Sequence, residues 1–115
     1  MSGPWLWLRI EGAAVLIASC WAYASIGAGW WLFTALFFVP DVSMVGYLRN
    51  LRVGAALYNL GHVYVWPVVL IGVGWYTAGP YITEIGLIWT AHIAFDRALG
   101  FGLKYPDRFR HTHLD

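Results

Sequence analysis

The sequence predicts an all-α integral membrane protein, a bundle of four transmembrane helices arranged as two helical hairpins. Of its 115 residues 60% are hydrophobic and 11% charged, less than half the charge usual for a soluble domain. No formal charge occurs from Gly12 to Pro40, and none from Val53 to Thr83. Each of these runs exceeds the roughly 20 residues that one membrane helix needs. Each is also interrupted near its middle by turn formers, Gly27 to Gly29 and Ala78 to Pro80, which divides two runs into four spans.

The first span is expected at 6–26. Glu11 near its start, and the lack of a small-residue cleavage site followed by a soluble domain, set it apart from a signal peptide. Cys20 lies inside this apolar helix, where a lone cysteine reads as a small packing residue. The second span is expected at 30–49 and the third at 53–77, with Pro40 and Pro67 kinking them. The fourth is expected at 81–103, and residues 104–115 form a short cytoplasmic tail. The whole chain, 1–115, makes a single domain.

Basic residues outside the span interiors sort by side. Arg9 lies near the N-terminus, Arg49 and Arg52 in the middle connection, and Lys104, Arg108 and Arg110 in the tail, while the two other connections have no Lys or Arg. By the positive-inside rule both termini and the middle connection are cytoplasmic, which places the chain as a multi-pass protein of the cytoplasmic (inner) membrane. Trp30 and Trp31 at one outer turn, Trp75, Tyr76 and Tyr81 at the other, and Trp5 and Trp7 at the start match interfacial aromatic belts. Gly46, Gly54, Gly61, Gly72, Gly74 and Gly86 lie where small residues let helices approach closely. The net charge of +1 gives no sign of nucleic-acid binding. The partners implied are the lipid bilayer and other membrane proteins or further copies of the chain.

Against this apolar background stand Asp41, His62, His92 and Asp96. Ionisable groups in hydrocarbon cost several kcal/mol each unless they face one another, bind something or line a wet cavity. Counted along ideal helices at 1.5 Å per residue, all four lie about 10 to 15 Å from the cytoplasmic ends, so they share a layer. His92 and Asp96 are spaced i, i+4 on one helix face. Glu11 enters the same half of the membrane, as do Tyr47, Tyr58 and Asn59, and Arg97 follows Asp96 directly.

Two imidazoles and two carboxylates at one depth suit a divalent metal, Zn, Mn or Fe. In that arrangement Asp41, His62, His92 and Asp96 are the ligands, Glu11 is the base for a metal-bound water, and Tyr47, Tyr58, Asn59 and Arg97 support the ligands from behind. The competing arrangement is a metal-free hydrogen-bond network with Asp96 paired to Arg97 or Arg9. A third is ligation of a haem by the two histidines, or of a bacteriochlorophyll by one of them, which the accompanying carboxylates and amides disfavour. No nucleotide loop, CxxC pair, GxSxG elbow or HExxH helix is present.

The strings RIEGAAVL, VPDVSMVGYL, GAALYNLGHVYVWP, AHIAFDRALGFGLKYP and the terminal THL resemble the small bacterial integral-membrane family catalogued as domain of unknown function 4260, over nearly the whole chain. That resemblance implies four membrane helices and names no reaction. A weaker similarity is to the inner-membrane metal-dependent hydrolases, with Pro40 and Asp41, His62, and His92 with Asp96 at matching positions. Ser43 stands where their pattern has a second acid, and a further His is missing. The leading expectation is a metal-dependent hydrolase of a lipid or amphipathic substrate. The alternative is a non-catalytic accessory subunit of a larger respiratory or photosynthetic membrane complex that contacts haem or pigment.

Overall fold

The computed structural model describes residues 3–103 and Thr112. The chain runs through α1 (Gly3–Ile26), α2 (Trp30–Leu36), a 3-10 helix η1 (Val39–Leu48), α3 (Leu51–Gly61), α4 (Val65–Thr77) and α5 (Ile82–Leu99). Three stretches, Gly3–Ile26, Trp30–Leu48 and Leu51–Thr77, are long and apolar enough to cross a membrane. The fourth, α5, carries Glu84, Asp96 and Arg97 and is screened by the others, with Leu87, Ile88, Ala91, His92, Ile93 and Ala94 all buried. Many large apolar residues face outward, and Trp31, Trp75 and Tyr76 at the two turns are largely exposed, as lipid-interface anchors should be.

Both middle spans depart from the continuous helices expected at 30–49 and 53–77. Pro40 and Pro67 do more than kink them. Proline has no N–H and clashes with the carbonyl four residues back, so it is best placed in a first turn, where donors lack helical partners anyway. Accordingly Pro40 is the second residue of η1 and Pro67 the third of α4, and each span divides just upstream of its proline. The ten residues of η1 form an unusually long 3-10 segment. At about 2.0 Å per residue it carries Asp41 about 16 Å from Arg49, somewhat deeper than an α-helical count gives.

The turns behave as composition predicts. Gly27 follows α1 at φ +79°, a left-handed conformation open to glycine, and α4 closes through Ala78 at φ +54°. Between η1 and α3, Asn50 caps the new helix, its side chain accepting from the Val53 N–H at 2.8 Å.

The closest helix pairings are α1 with α5, η1 with α3, and α4 with α5. Small residues permit them. A Cβ added at Gly12 would lie 2.6 Å from Arg97 Cβ and 2.8 Å from Ala98 N, and one at Gly86 would lie 2.7 Å from Ile71. At Gly46 it would meet Val53 O at 2.7 Å. Gly72, by contrast, has open space around it. Near their shared turn α1 and α2 meet through Tyr23, which packs against Trp30 and Phe33 and donates to Gly29 O at 2.7 Å. The expected tail lies outside the described residues except for Thr112, which is buried rather than solvated.

Candidate metal centre

Each of the four polar residues owes its position to one of these local features. Asp41 sits in the first turn of η1, its N–H donating to Phe38 O at 3.0 Å. His62 lies in the gap between α3 and α4, with its N–H on Asn59 O. Its ring is fixed twice over by Tyr58: Nδ1 is 2.8 Å from the Tyr58 carbonyl, and the two rings stack at 3.8 Å with an 8° interplanar angle. His92 and Asp96 project from successive turns of α5.

The four side chains converge. His62 Nε2 lies 3.4 Å from Asp41 Oδ1 and 3.4 Å from Asp96 Oδ2. His92 Nε2 lies 3.2 Å from Asp41 Oδ1, 3.3 Å from Asp96 Oδ2 and 3.2 Å from His62 Nε2. All four atoms are within 4.8 Å of one another. Five edges of this four-atom figure are therefore nearly equal, at the separation expected between ligands about 2.0 Å from one tetrahedral ion, while the sixth, between the two carboxylate oxygens, is bounded at 4.8 Å.

A network of hydrogen bonds fits these distances poorly. Charge-assisted N–H···O bonds contract to about 2.7–2.9 Å, and all four histidine–aspartate separations here are longer. The hydrogens are also too few. A carbonyl can only accept, so His62 Nδ1 carries a hydrogen for Tyr58 O, and neutral His62 then presents a bare Nε2 to the cluster. With both rings protonated, each Nε2–H would have to be shared between the two carboxylate oxygens, and the two donors would face each other across the 3.2 Å His62–His92 contact, whereas one cation at the centre satisfies all five.

The charge balance points the same way. Neither arginine expected near Asp96 binds it directly. Arg97 is buried and donates to two backbone carbonyls, His62 O at 2.8 Å and Phe101 O at 3.2 Å, and Arg9 donates to Ala98 O at 2.9 Å. Among the described contacts the two carboxylates thus touch imidazoles alone, with the buried Arg97 charge acting on Asp96 only from a distance, so a cation between the carboxylates would complete the balance.

The surrounding residues sort clearly. Tyr58 is buried against His62, Asn59 receives the His62 N–H through its backbone, and Tyr47 lies over Gly54 where η1 meets α3. Glu11, expected as a base, is exposed on α1 and lies outside the four-residue group. Less foreseeable is the treatment of the broken third span. Membrane-buried backbone must be satisfied within the protein, and the carbonyls freed here are taken by side chains: Tyr58 O by His62, Gly61 O by Trp89 Nε1 at 2.7 Å, and His62 O by Arg97. The rings of Phe37 and Phe38 stand edge-on to His92, at 5.2 and 6.5 Å, contacts that no sequence spacing signals. His92 Nδ1 is buried and has no partner among the described residues. Ligation of one haem by both histidines would require their Nε2 atoms, 3.2 Å apart here, to separate to opposite faces of the macrocycle.

No curated protein and no solved structure matches this chain, and the likeness to inner-membrane metal-dependent hydrolases gains no support. A family model described as a domain of unknown function, DUF4260, matches residues 5–115 and so takes in all four converging residues. The chain, a helical protein with three membrane-length apolar stretches and a buried histidine and aspartate cluster able to hold a metal ion, belongs to the DUF4260 family.

Proposed function

We propose that this protein is a membrane-embedded metalloenzyme that holds one divalent ion on Asp41, His62, His92 and Asp96 and hydrolyses a lipid or amphipathic substrate. The observation that carries the reading is the convergence of four ligand atoms within 4.8 Å of one another, with both imidazole nitrogens 3.2–3.4 Å from each carboxylate oxygen. Two imidazole nitrogens with two carboxylate oxygens suit Zn, Mn or Fe better than Cu(I), which prefers sulfur, or Mg and Ca, which prefer all-oxygen sites. An ion held there would supply Lewis acidity and lower the pKa of bound water.

The chain's own groups divide the remaining work. Tyr58 holds the His62 ring at the angle that aims Nε2 inward. Each carboxylate offers one oxygen to the cluster, so the second oxygen of Asp41, whose side chain is 40% exposed, is the accessible acceptor for a proton. This oxygen is a second candidate for the proton acceptor beside Glu11, which lies outside the four-residue group on α1, one residue from the Gly12 contact with Arg97.

The test is elemental analysis of detergent-purified protein prepared without chelator, joined to turnover of long-chain ester and phosphoester reporters. Expected are one Zn, Mn or Fe per chain and a hydrolysis that chelator abolishes. Protein that stays metal-free even when offered all three ions would overturn the metal reading. Bound metal without turnover, and with membrane proteins copurifying in fixed ratio, would replace the hydrolase with the accessory-subunit reading.

A further inference from the structure

Resting on the metal reading, we propose that the centre is reached sideways from within the bilayer, through an apolar mouth at Asp41, and that its substrate is a long-chain amphiphile with an oxygen-donor head. His62 and His92 are sealed from outside, and Asp96 is nearly so at 15% exposure, whereas the Asp41 carboxylate is 40% exposed. An incoming ligand therefore approaches along Asp41.

Among the described residues, what surrounds that opening is hydrocarbon-like. In a 3-10 helix residues three apart stack on one ridge, so Asp41 stands between Phe38 and Met44. Phe38 is largely exposed, and on the facing helix Phe95 and Leu99 are exposed beside the ligand-bearing residues. Phe37 joins the two sides, with its ring 5.1 Å from Phe38 and 5.7 Å from Phe95. The opening thus has a ligand oxygen at its base and an apolar rim. It lies about 16 Å in from Arg49 by the 3-10 rise, well inside a hydrocarbon core about 30 Å thick.

Electrostatics make such an opening tolerable. Two carboxylates with a dication sum to zero, so the loaded centre can face lipid where the bare one cannot. A head carrying oxygen donors, such as a carboxylate or hydroxamate, complements the ion, and an alkyl chain complements Phe38 and Phe95. Two apolar cavities, of 340 and 860 Å³, border η1 as well, lined around Ser43, Gly61 and Trp89. They lie along other ridges of η1 and include none of the four ligands.

The test uses full-length protein in lipid nanodiscs with Co(II) at the centre, whose visible spectrum reports added ligands. Dodecanohydroxamate should perturb the spectrum at a concentration at least tenfold below that of acetohydroxamate. A hydroxamate tethered to a long polyethylene glycol, which is confined to water, should leave the spectrum unchanged. In Phe38→Gln the dodecanohydroxamate concentration at half-saturation should rise at least tenfold while the acetohydroxamate response stays unchanged. A spectral response to the tethered hydroxamate, equal potency of the two free probes, an unshifted dodecanohydroxamate response in Phe38→Gln, or a cobalt spectrum that no probe alters would each overturn lateral entry while leaving the metal centre standing. Absence of any cobalt spectrum would remove the metal reading and this inference with it.

Discussion

His92 and Arg97 sit five residues apart on α5 and divide ligation from support. His92 presents Nε2 to the other three ligands, so His92→Gln, which keeps a neutral hydrogen-bonding side chain of similar reach, should lose the metal while its melting temperature stays close to that of metal-free wild type. Retention of one ion per chain in His92→Gln would remove His92 from the ligand set. Arg97 touches no ligand atom; it holds the His62 carbonyl. Arg97→Met leaves that buried acceptor bare, which costs about 1–3 kcal/mol in the metal-free protein, and lets His62 shift, which weakens metal binding about 10- to 100-fold in chelator competition. Arg97→Lys should rescue little, since a single ammonium cannot span His62 O and Phe101 O as the forked guanidinium does. The four converging residues were legible because ionisable groups stand out in an apolar sequence. The use of Arg97 on a carbonyl instead of Asp96 was not, because adjacency on a helix says nothing about which neighbouring backbone will be left open.

At the scale of the element, legibility stopped at the broken helices. Pro40 and Pro67 mark weak points, but a proline fixes its own φ and not how far upstream the chain leaves the helix. The gap at His62 exists because α5 supplies Trp89 and Arg97 to its freed carbonyls, and those partners are remote in sequence. Glycine shows a similar limit. Composition flagged Gly72 along with Gly86, yet only the packing tells them apart, and Gly12 carries the tightest crossing of α1 on α5. A paired measurement follows. Gly12→Ala pushes a methyl against Arg97 and Ala98 backbone and should destabilise by about 1–3 kcal/mol, since overpacking forces the helices apart. Gly72→Ala meets nothing and should be neutral or gain up to about 1 kcal/mol from helix propensity. Thermal unfolding in one detergent decides it, and equal effects at the two sites would mean that α1 does not approach α5 as closely as described.

Over the whole molecule, apolar faces point outward and the charged helix α5 is enclosed, an inside-out arrangement that suits a bilayer. Which way the molecule sits is a separate matter, decided by the arginines and lysines at its ends. Arg49 and Arg52 flank the η1–α3 connection, Arg9 lies near the start of α1 and packs over Trp5 at 4.4 Å, and the turns at Gly27–Gly29 and Ala78–Pro80 have neither Arg nor Lys. Translocating such clusters is disfavoured, so the η1–α3 connection and both termini are expected in the cytoplasm of a bacterial cell. The consequence for the centre is directional. Asp41 precedes Arg49 on η1, and Asp96 lies near the end of α5, so in that orientation all four ligands would belong to the half of the bilayer that borders the cytoplasm. A fluorescent reporter active only in the cytoplasm should work when fused after Asp115. Inserted beside Ala28 or Ala78 it should be silent, and a reporter active only on the opposite side should light up there. Cytoplasmic signal at both turns would invert the orientation, and with it the side from which the ion is supplied, while leaving the four-ligand geometry untouched.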